Sequence, residues 1–161
     1  MGHQKSTSGK EVVSDRDAME LALAEARLAA LEGEIPVGAV AVFAGTVVSS
    51  RHNEREHSSD PTAHAEVLAV RDAAAKLGTW HLEGVDLFVT LEPCPMCAGA
   101  ILLGRVRRLV YAVADPKTGA CGSLYNLCDD PRMNHSIDVH QGLLADEAAG
   151  LLSRFFTGIR I

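Results

Sequence analysis

Residues 37–43 read Val37-Gly38-Ala39-Val40-Ala41-Val42-Phe43, seven positions without a polar side chain. The length suits a strand, and the lack of alternation predicts one buried on both faces. Such a strand needs cover above and below, so the chain must build layers. Around it, helices and strands alternate. Met19, Leu21, Leu23, Ala26, Leu28 and Leu31 form a broad apolar stripe over residues 15–31, which Gly33 stops. Ala44-Gly45 turns the chain into a second strand at 46–50, and a polar loop follows at 51–60. Pro61 and Thr62 open a helix that ends at Gly78, and a strand follows at 86–91. Pro93 and Pro95 precede a short helix ending at Gly104, then a strand at 108–113. Residues 115–135 are irregular, 137–139 suit a short edge strand, and 146–156 a closing helix. This order predicts an α/β protein, a three-layer α/β/α sandwich with a central mixed β-sheet. Trp80, Tyr111 and Tyr125 read as packing residues.

The chain of 161 residues, 47% hydrophobic and 22% charged, suits one globular domain. Residues 1–14 read as a flexible tail and 15–161 as the domain. No run approaches the ~18 apolar residues of a membrane span, and residues 1–10 lack the apolar core of a secretory signal. A soluble, cytoplasmic protein is the expectation. The net charge of −6 argues against a protein that coats nucleic acid generally. Arg supplies 11 of the 15 basic residues, with clusters at Arg51, His52 and Arg55 and at Arg105, Arg107 and Arg108. These suit phosphate grips or ordinary solvated charges equally. The four cysteines, Cys94, Cys97, Cys121 and Cys128, point away from a disulfide framework in a chain without an export signal. Cys121 and Cys128 read as small buried residues.

His64 heads one helix, and Cys94 and Cys97 head another. Cysteines three apart share a helix face, so both sulfurs can reach one ion. The helix N-terminus favours thiolate, and Pro95 suits a first helical turn. Zinc accepts such a nitrogen and sulfur set. Three protein ligands leave a fourth tetrahedral position for water, the pattern of a catalytic site. Glu66 lies two residues from His64, and positions two apart in a helix diverge by about 200°. Only in a first turn can both reach the same place. There, Glu66 would sit beside the water without ligating metal and would move its proton. Two thiolates, a neutral imidazole and Zn²⁺ sum to zero charge, so a general base is useful. A redox dithiol would leave His64 and Glu66 idle. A structural zinc would need a fourth ligand, for which Cys121, Cys128, His135 and His140 are candidates.

His-x-Glu followed by Pro-Cys-x-x-Cys is the known signature of the zinc deaminases. The chain resembles the bacterial tRNA-specific adenosine deaminases of the cytidine/deoxycytidylate deaminase superfamily well beyond it. The likeness covers Ile35 to Val40, Asp60 to Glu66, Val89 to Ile101, Asp115 to Gly119, Met133 to His135 and Leu151 to Phe156. Together these motifs span roughly residues 15–158. The earlier motifs are shared with deaminases of nucleosides and free bases; the later ones favour the tRNA enzyme.

The resemblance implies a cytidine-deaminase-like fold and hydrolytic conversion of a tRNA wobble adenosine to inosine. The substrate would be chiefly an arginine tRNA, bound through its anticodon stem-loop by a homodimer. It implies that His64, Cys94 and Cys97 hold one Zn²⁺ per subunit and that Glu66 is catalytic. Asn53 and the backbone around Ala65 would bind the flipped base. Asp115 and Lys117 would touch the anticodon backbone or sugars, and Phe155 and Phe156 would line the RNA groove. Residues read alone leave alternatives: Asn53 as a loop stabiliser, and the adjacent Phe155 and Phe156 as partly core. Two other functions fit the same zinc chemistry: a small-molecule nucleobase or nucleoside deaminase of guanine or cytosine type, and a non-enzymatic zinc-stabilised interaction module.

Overall fold

Ser14 begins the regular structure. Its hydroxyl oxygen accepts the Asp17 N–H at 3.0 Å and caps α1 (Asp15–Leu31). The computed structural model describes residues 11–158, so the first ten residues of the tail expected over 1–14 lie outside the described residues. Residues 11–14 are docked: the Val13 N–H donates to Gly45 O at 3.0 Å, beside the turn between β1 (Gly38–Phe43) and β2 (Thr46–His52).

The remaining elements are α2 (Ala65–Leu77), β3 (Val85–Leu91), α3 (Pro95–Leu103), β4 (Arg108–Val113), β5 (Asp138–Gln141) and α4 (Ala145–Thr157). The strands form one sheet in the order β2-β1-β3-β4-β5. β1 runs antiparallel to β2 and β3, whereas β3, β4 and β5 are parallel.

Alternation along the central strands divides the core. Ala39 and Ala41 of β1, Leu87 and Val89 of β3, and Leu109 and Tyr111 of β4 pack with Ala65, Ala69 and Ala73 of α2 and Ala98, Ile101 and Leu102 of α3. Val40, Val42, Phe88, Val110 and Ala112 face the other way, onto Met19, Ala22, Leu23 and Ala26 of α1 and Ala148 and Leu151 of α4. The apolar run at 37–43 is thus covered on both sides, and the α/β/α sandwich with a mixed sheet is as expected. Gly38 permits the closest approach: a Cβ there would lie 1.9 Å from Ala22 O, inside α1.

Two expectations are corrected. α2 starts at Ala65 instead of Pro61 and Thr62, because Asp60 stabilises a separate turn by accepting the Thr62 N–H and hydroxyl at 2.8 Å each. Trp80 and Tyr125 are exposed, at 58% and 57%; Trp80 stacks on His81 and only Tyr111 of the three packs in the core. The arginine clusters are largely neutralised. Arg51 pairs with Asp72 and Glu54, His52 lies between Glu25 and Glu32, and Arg107 and Arg108 share Asp86. Arg108 also holds Asp15 with two bonds of 2.7 Å. Apart from Glu54, three residues from Arg51, the carboxylates that consume these charges come from distant parts of the chain.

The topology gathers one set of loops. The carboxyl ends of β3 and β4 lead to Glu92–Cys94 and Ala114–Ser123. Antiparallel β1 brings residues 35–37 to the same edge, and β2 brings Asn53. Sites in such sheets collect at the carboxyl ends of parallel strands.

Candidate active site and metal centre

His64 and Cys94 are the N-cap residues of α2 and α3. Both have extended backbone, φ −75° and ψ 147° for His64, φ −73° and ψ 174° for Cys94, and neither side chain caps its helix. The side chains are therefore available to a shared point. Pro95 occupies the first turn of α3 and sets Cys97 one turn on from Cys94. Asp60 aims His64 through the turn that precedes α2.

His64 Nδ1 lies 3.7 Å from Cys94 Sγ and 3.4 Å from Cys97 Sγ. Tetrahedral zinc, with bonds of roughly 2.3 Å to sulfur and 2.0–2.1 Å to nitrogen, places such donors about 3.6 Å apart. The trio fits the ion. It is the only group of three metal-ligating side chains among the described residues. None of the four residues considered for a fourth ligand joins it. Cys121 and Cys128 face each other with sulfurs 3.3 Å apart, His135 bonds Leu102 O, and His140 pairs with Asp138. The protein thus supplies three ligands among its described residues, which is the open pattern.

Electrostatics prepare the thiols. The hydrogen bond from Cys97, with help from His64, brings Cys94 down to about 4, against the cost of burial. Cys97 is pushed up by donating to Cys94 and by its own burial. His64 is raised by its bond to Cys94 and by the Glu66 charge. A cation binding here displaces the protons that His64 and the thiol pair retain, so affinity rises with pH.

Glu66 stands in the first turn of α2 and is 4% exposed. Burial raises its pKa, opposed by hydrogen bonds and by His64. It lines a cavity of about 160 Å³ together with His64, Cys94, Asn53, Ala65 and Asp115. A larger polar trough of about 790 Å³ beside β5 contains none of the metal ligands, so size alone does not mark the site. Asn53 is 6% exposed; its Oδ1 accepts the Arg55 N–H at 3.1 Å and its Nδ2 reaches Ile35 O at 3.4 Å. Asp115 spends its carboxylate on its own loop, accepting from the Lys117 and Thr118 N–H groups and the Thr118 hydroxyl. Lys117 and Phe156 are exposed and lie outside the cavity lining, as does Phe155, which meets Phe156 edge-on at 5.5 Å.

Two buried carboxylates beside the site escaped the sequence analysis, as did Asp86, held by Arg107 and Arg108. Glu34 accepts the Glu56 and His57 N–H groups at 3.2 and 2.7 Å and holds the loop after β2. Glu92 holds the loop after β4. In sequence each resembles a solvated charge; only their apolar neighbours, Ile35 and Leu91, hinted at burial.

Fold and site together define a zinc-binding protein of deaminase type, and residues 12–113 match the cytidine and deoxycytidylate deaminase zinc-binding region. The tRNA-specific adenosine deaminase of Bacillus subtilis is 46% identical over 149 residues, covering 92% of each chain. A solved tRNA:A34 deaminase, studied for A-to-I editing at the wobble position of transfer RNA, superposes with a TM-score of 0.81 at 47% identity, covering 84% of this chain and 98% of that one. A guanine deaminase from Nitrosomonas europaea superposes with a TM-score of 0.79 at 26% identity, covering 92% and 87%. The chain belongs to the tRNA-specific adenosine deaminase family, within the cytidine and deoxycytidylate deaminases.

Proposed function

We propose that the protein deaminates the wobble adenosine of a tRNA anticodon hydrolytically, water plus adenosine giving inosine plus ammonia. The observation that carries the reading is Glu66, buried in a small cavity beside three ligands that fit zinc. The relatedness to tRNA-specific adenosine deaminases supports the substrate.

His64, Cys94 and Cys97 hold the metal, whose Lewis acidity makes water nucleophilic near neutral pH. Glu66 would take one proton from the water and pass it to the ring nitrogen of the base, then take the second from the hydroxyl added to the carbon and pass it to the amine, which leaves as ammonia. Its seclusion keeps these protons from bulk solvent. The Asn53 amide can donate and accept along a base edge, and the backbone at Ala65 contacts the base from the cavity wall. A base must leave its stack to enter, which is cheap in a single-stranded anticodon loop. Asp115 and Lys117 meet the anticodon backbone or sugars. Phe156, 68% exposed, offers a stacking surface beyond the cavity. An arginine tRNA is the expected substrate, and the cytoplasm the expected place of action.

The protein works as a homodimer in this reading. α3 carries no charged residue, and Met96 and Leu103, seven apart on one helix face, are 37% and 75% exposed. Light scattering on the purified protein checks the dimer.

The second reading, a guanine-type deaminase of small molecules, draws support from the shared fold and from the neutralised arginine clusters. One experiment separates the two. Zinc-loaded protein is incubated with an anticodon stem-loop bearing wobble adenosine, and in parallel with adenosine, adenine, cytosine and guanine. Inosine in the stem-loop alone is expected. Ammonia from a free base, with unedited RNA, would replace the tRNA reading by the second one.

A further inference from the structure

We propose that Glu92 is a positioning residue, which fixes the 115–123 loop against the Cys94 segment so that metal ligand and substrate-facing loop form one rigid cavity wall. The inference rests on the tRNA reading for its substrate but not for its geometry.

Glu92 follows β3 and stands two residues before Cys94. It is 2% exposed. One carboxylate oxygen accepts the Asp115 N–H at 3.1 Å and the Ser123 hydroxyl. The other accepts the Cys121 and Ser123 N–H groups at 3.0 and 3.1 Å. Four donors occupy the acceptor sites of a carboxylate. No Arg or Lys bonds it among the described residues, whereas buried Asp86, near the amino end of the same strand, is held by Arg107 and Arg108. A buried charge is tolerable only when so bonded. Here the bonding comes from the backbone of one loop, so the charge organises that loop.

Two features extend the tie. The Ala120 N–H donates to Pro93 O at 2.8 Å, directly before the metal ligand. At Gly119 a Cβ would lie 2.3 Å from the Glu92 carboxyl and 2.5 Å from Asp115 O, so the loop can lie this close only without a side chain. The tied loop presents Asp115 and Thr118 to the cavity, where Glu92 and Cys94 also contribute. Displacing Glu92 therefore moves the wall that meets substrate, while Cys94 keeps its place at the head of α3.

The test is Glu92→Gln in the full chain. The amide retains one acceptor oxygen and points an NH₂ at backbone donors, leaving at least one unpaired. The variant should keep one zinc per chain by metal analysis. Its KM for the anticodon stem-loop should rise, on the order of tenfold, as the cavity wall loosens, with kcat changed less than about threefold. Hydrogen exchange should accelerate over 115–123 and stay unchanged in α2 and α3. Ser123→Ala, which removes one donor of four, should give a smaller KM rise. Gly119→Ala strains the contact from the loop side; it should reproduce the KM rise with zinc retained, and stands in should Glu92→Gln not fold. An unchanged KM, unaltered exchange over 115–123, or loss of zinc with the KM change would overturn the proposal. If wild-type protein deaminates a free base and leaves RNA unedited, the tRNA reading fails, and the same KM-against-kcat split read on that base still decides the role of Glu92.

Discussion

The first turns of α1, α2 and α3 share one backbone geometry and use it for opposite ends. Ser14, His64 and Cys94 all take extended N-cap conformations, with φ between −73° and −75°. Ser14 turns its hydroxyl inward and bonds the Asp17 N–H. His64 and Cys94 bond no amide of their own helices. A capping side chain is worth about 0.5–2 kcal/mol, so α2 and α3 each forgo that much local stability to free a side chain for metal. Their buried small residues, Ala65, Ala69 and Ala98, help seat both helices against the sheet without such caps.

The sharpest way to break this contrast is to give α3 an ordinary cap. Cys94→Ser supplies a hydroxyl suited to an N-cap and removes a thiolate. Zinc per chain should fall well below one, and turnover with it. The chelator-stripped variant should unfold at a higher temperature than stripped wild type, by the worth of a cap, about 1 kcal/mol. Metal analysis and calorimetry check both parts; full zinc occupancy would end the division of roles.

Glu66→Gln separates holding metal from moving protons. It should retain zinc and lower kcat by about 10²–10⁴-fold, the contribution of a placed general acid–base group. Single-turnover kinetics on the stem-loop would show it, and near-wild-type rates would remove Glu66 from the chemistry.

Ser14→Ala should do the reverse, costing about 1 kcal/mol, or a fall of about 2–4 °C in Tm for a domain this size. Zinc content and kcat should not change. A loss of zinc would mean that α1 is coupled to the centre after all.

The smallest effect concerns the far part of α1. Burial disfavours the charged form of His52, but hydrogen bonds to Glu25 and Glu32 outweigh it, so the net shift is upward. A raised folded-state pKa stabilises the fold fully below the unfolded value of about 6.5 and loses that contribution as pH rises through the folded-state value. Wild type should therefore weaken over that rise relative to His52→Gln, whose denaturation midpoint should lack this slope. Equal pH profiles would show that the pair of carboxylates does not hold the imidazolium.

Much of the site was legible because its signals are local. Cys94, Pro95 and Cys97 announce a helix start with two sulfurs on one side. His64 and Glu66 announce another, and a first turn is where both can serve one point. The neighbouring loops were legible only as motifs. Asp115 was expected at the anticodon backbone or sugars; its carboxylate also accepts bonds from Lys117 and Thr118 in its own turn. Lys117 and Phe156 were assigned to the substrate by resemblance, and the fold places both outside the cavity lining. The arginine clusters read equally as phosphate grips or solvated charges, and Asp72, Asp86, Glu25 and Glu32, from other elements, pair with most of them.

The sequence by itself determined the elements, the start of α3 and the identity of the metal ligands, since capping, alternation and ligand spacing act over a few residues. Only the tertiary structure decided the strand order, the meeting of α2 and α3 over one cavity, and which carboxylates are buried. Glu34, Glu92 and Asp86 are ordinary acids in the chain. Burial and its compensating partners depend on segments tens of residues away, and no local pattern encodes them.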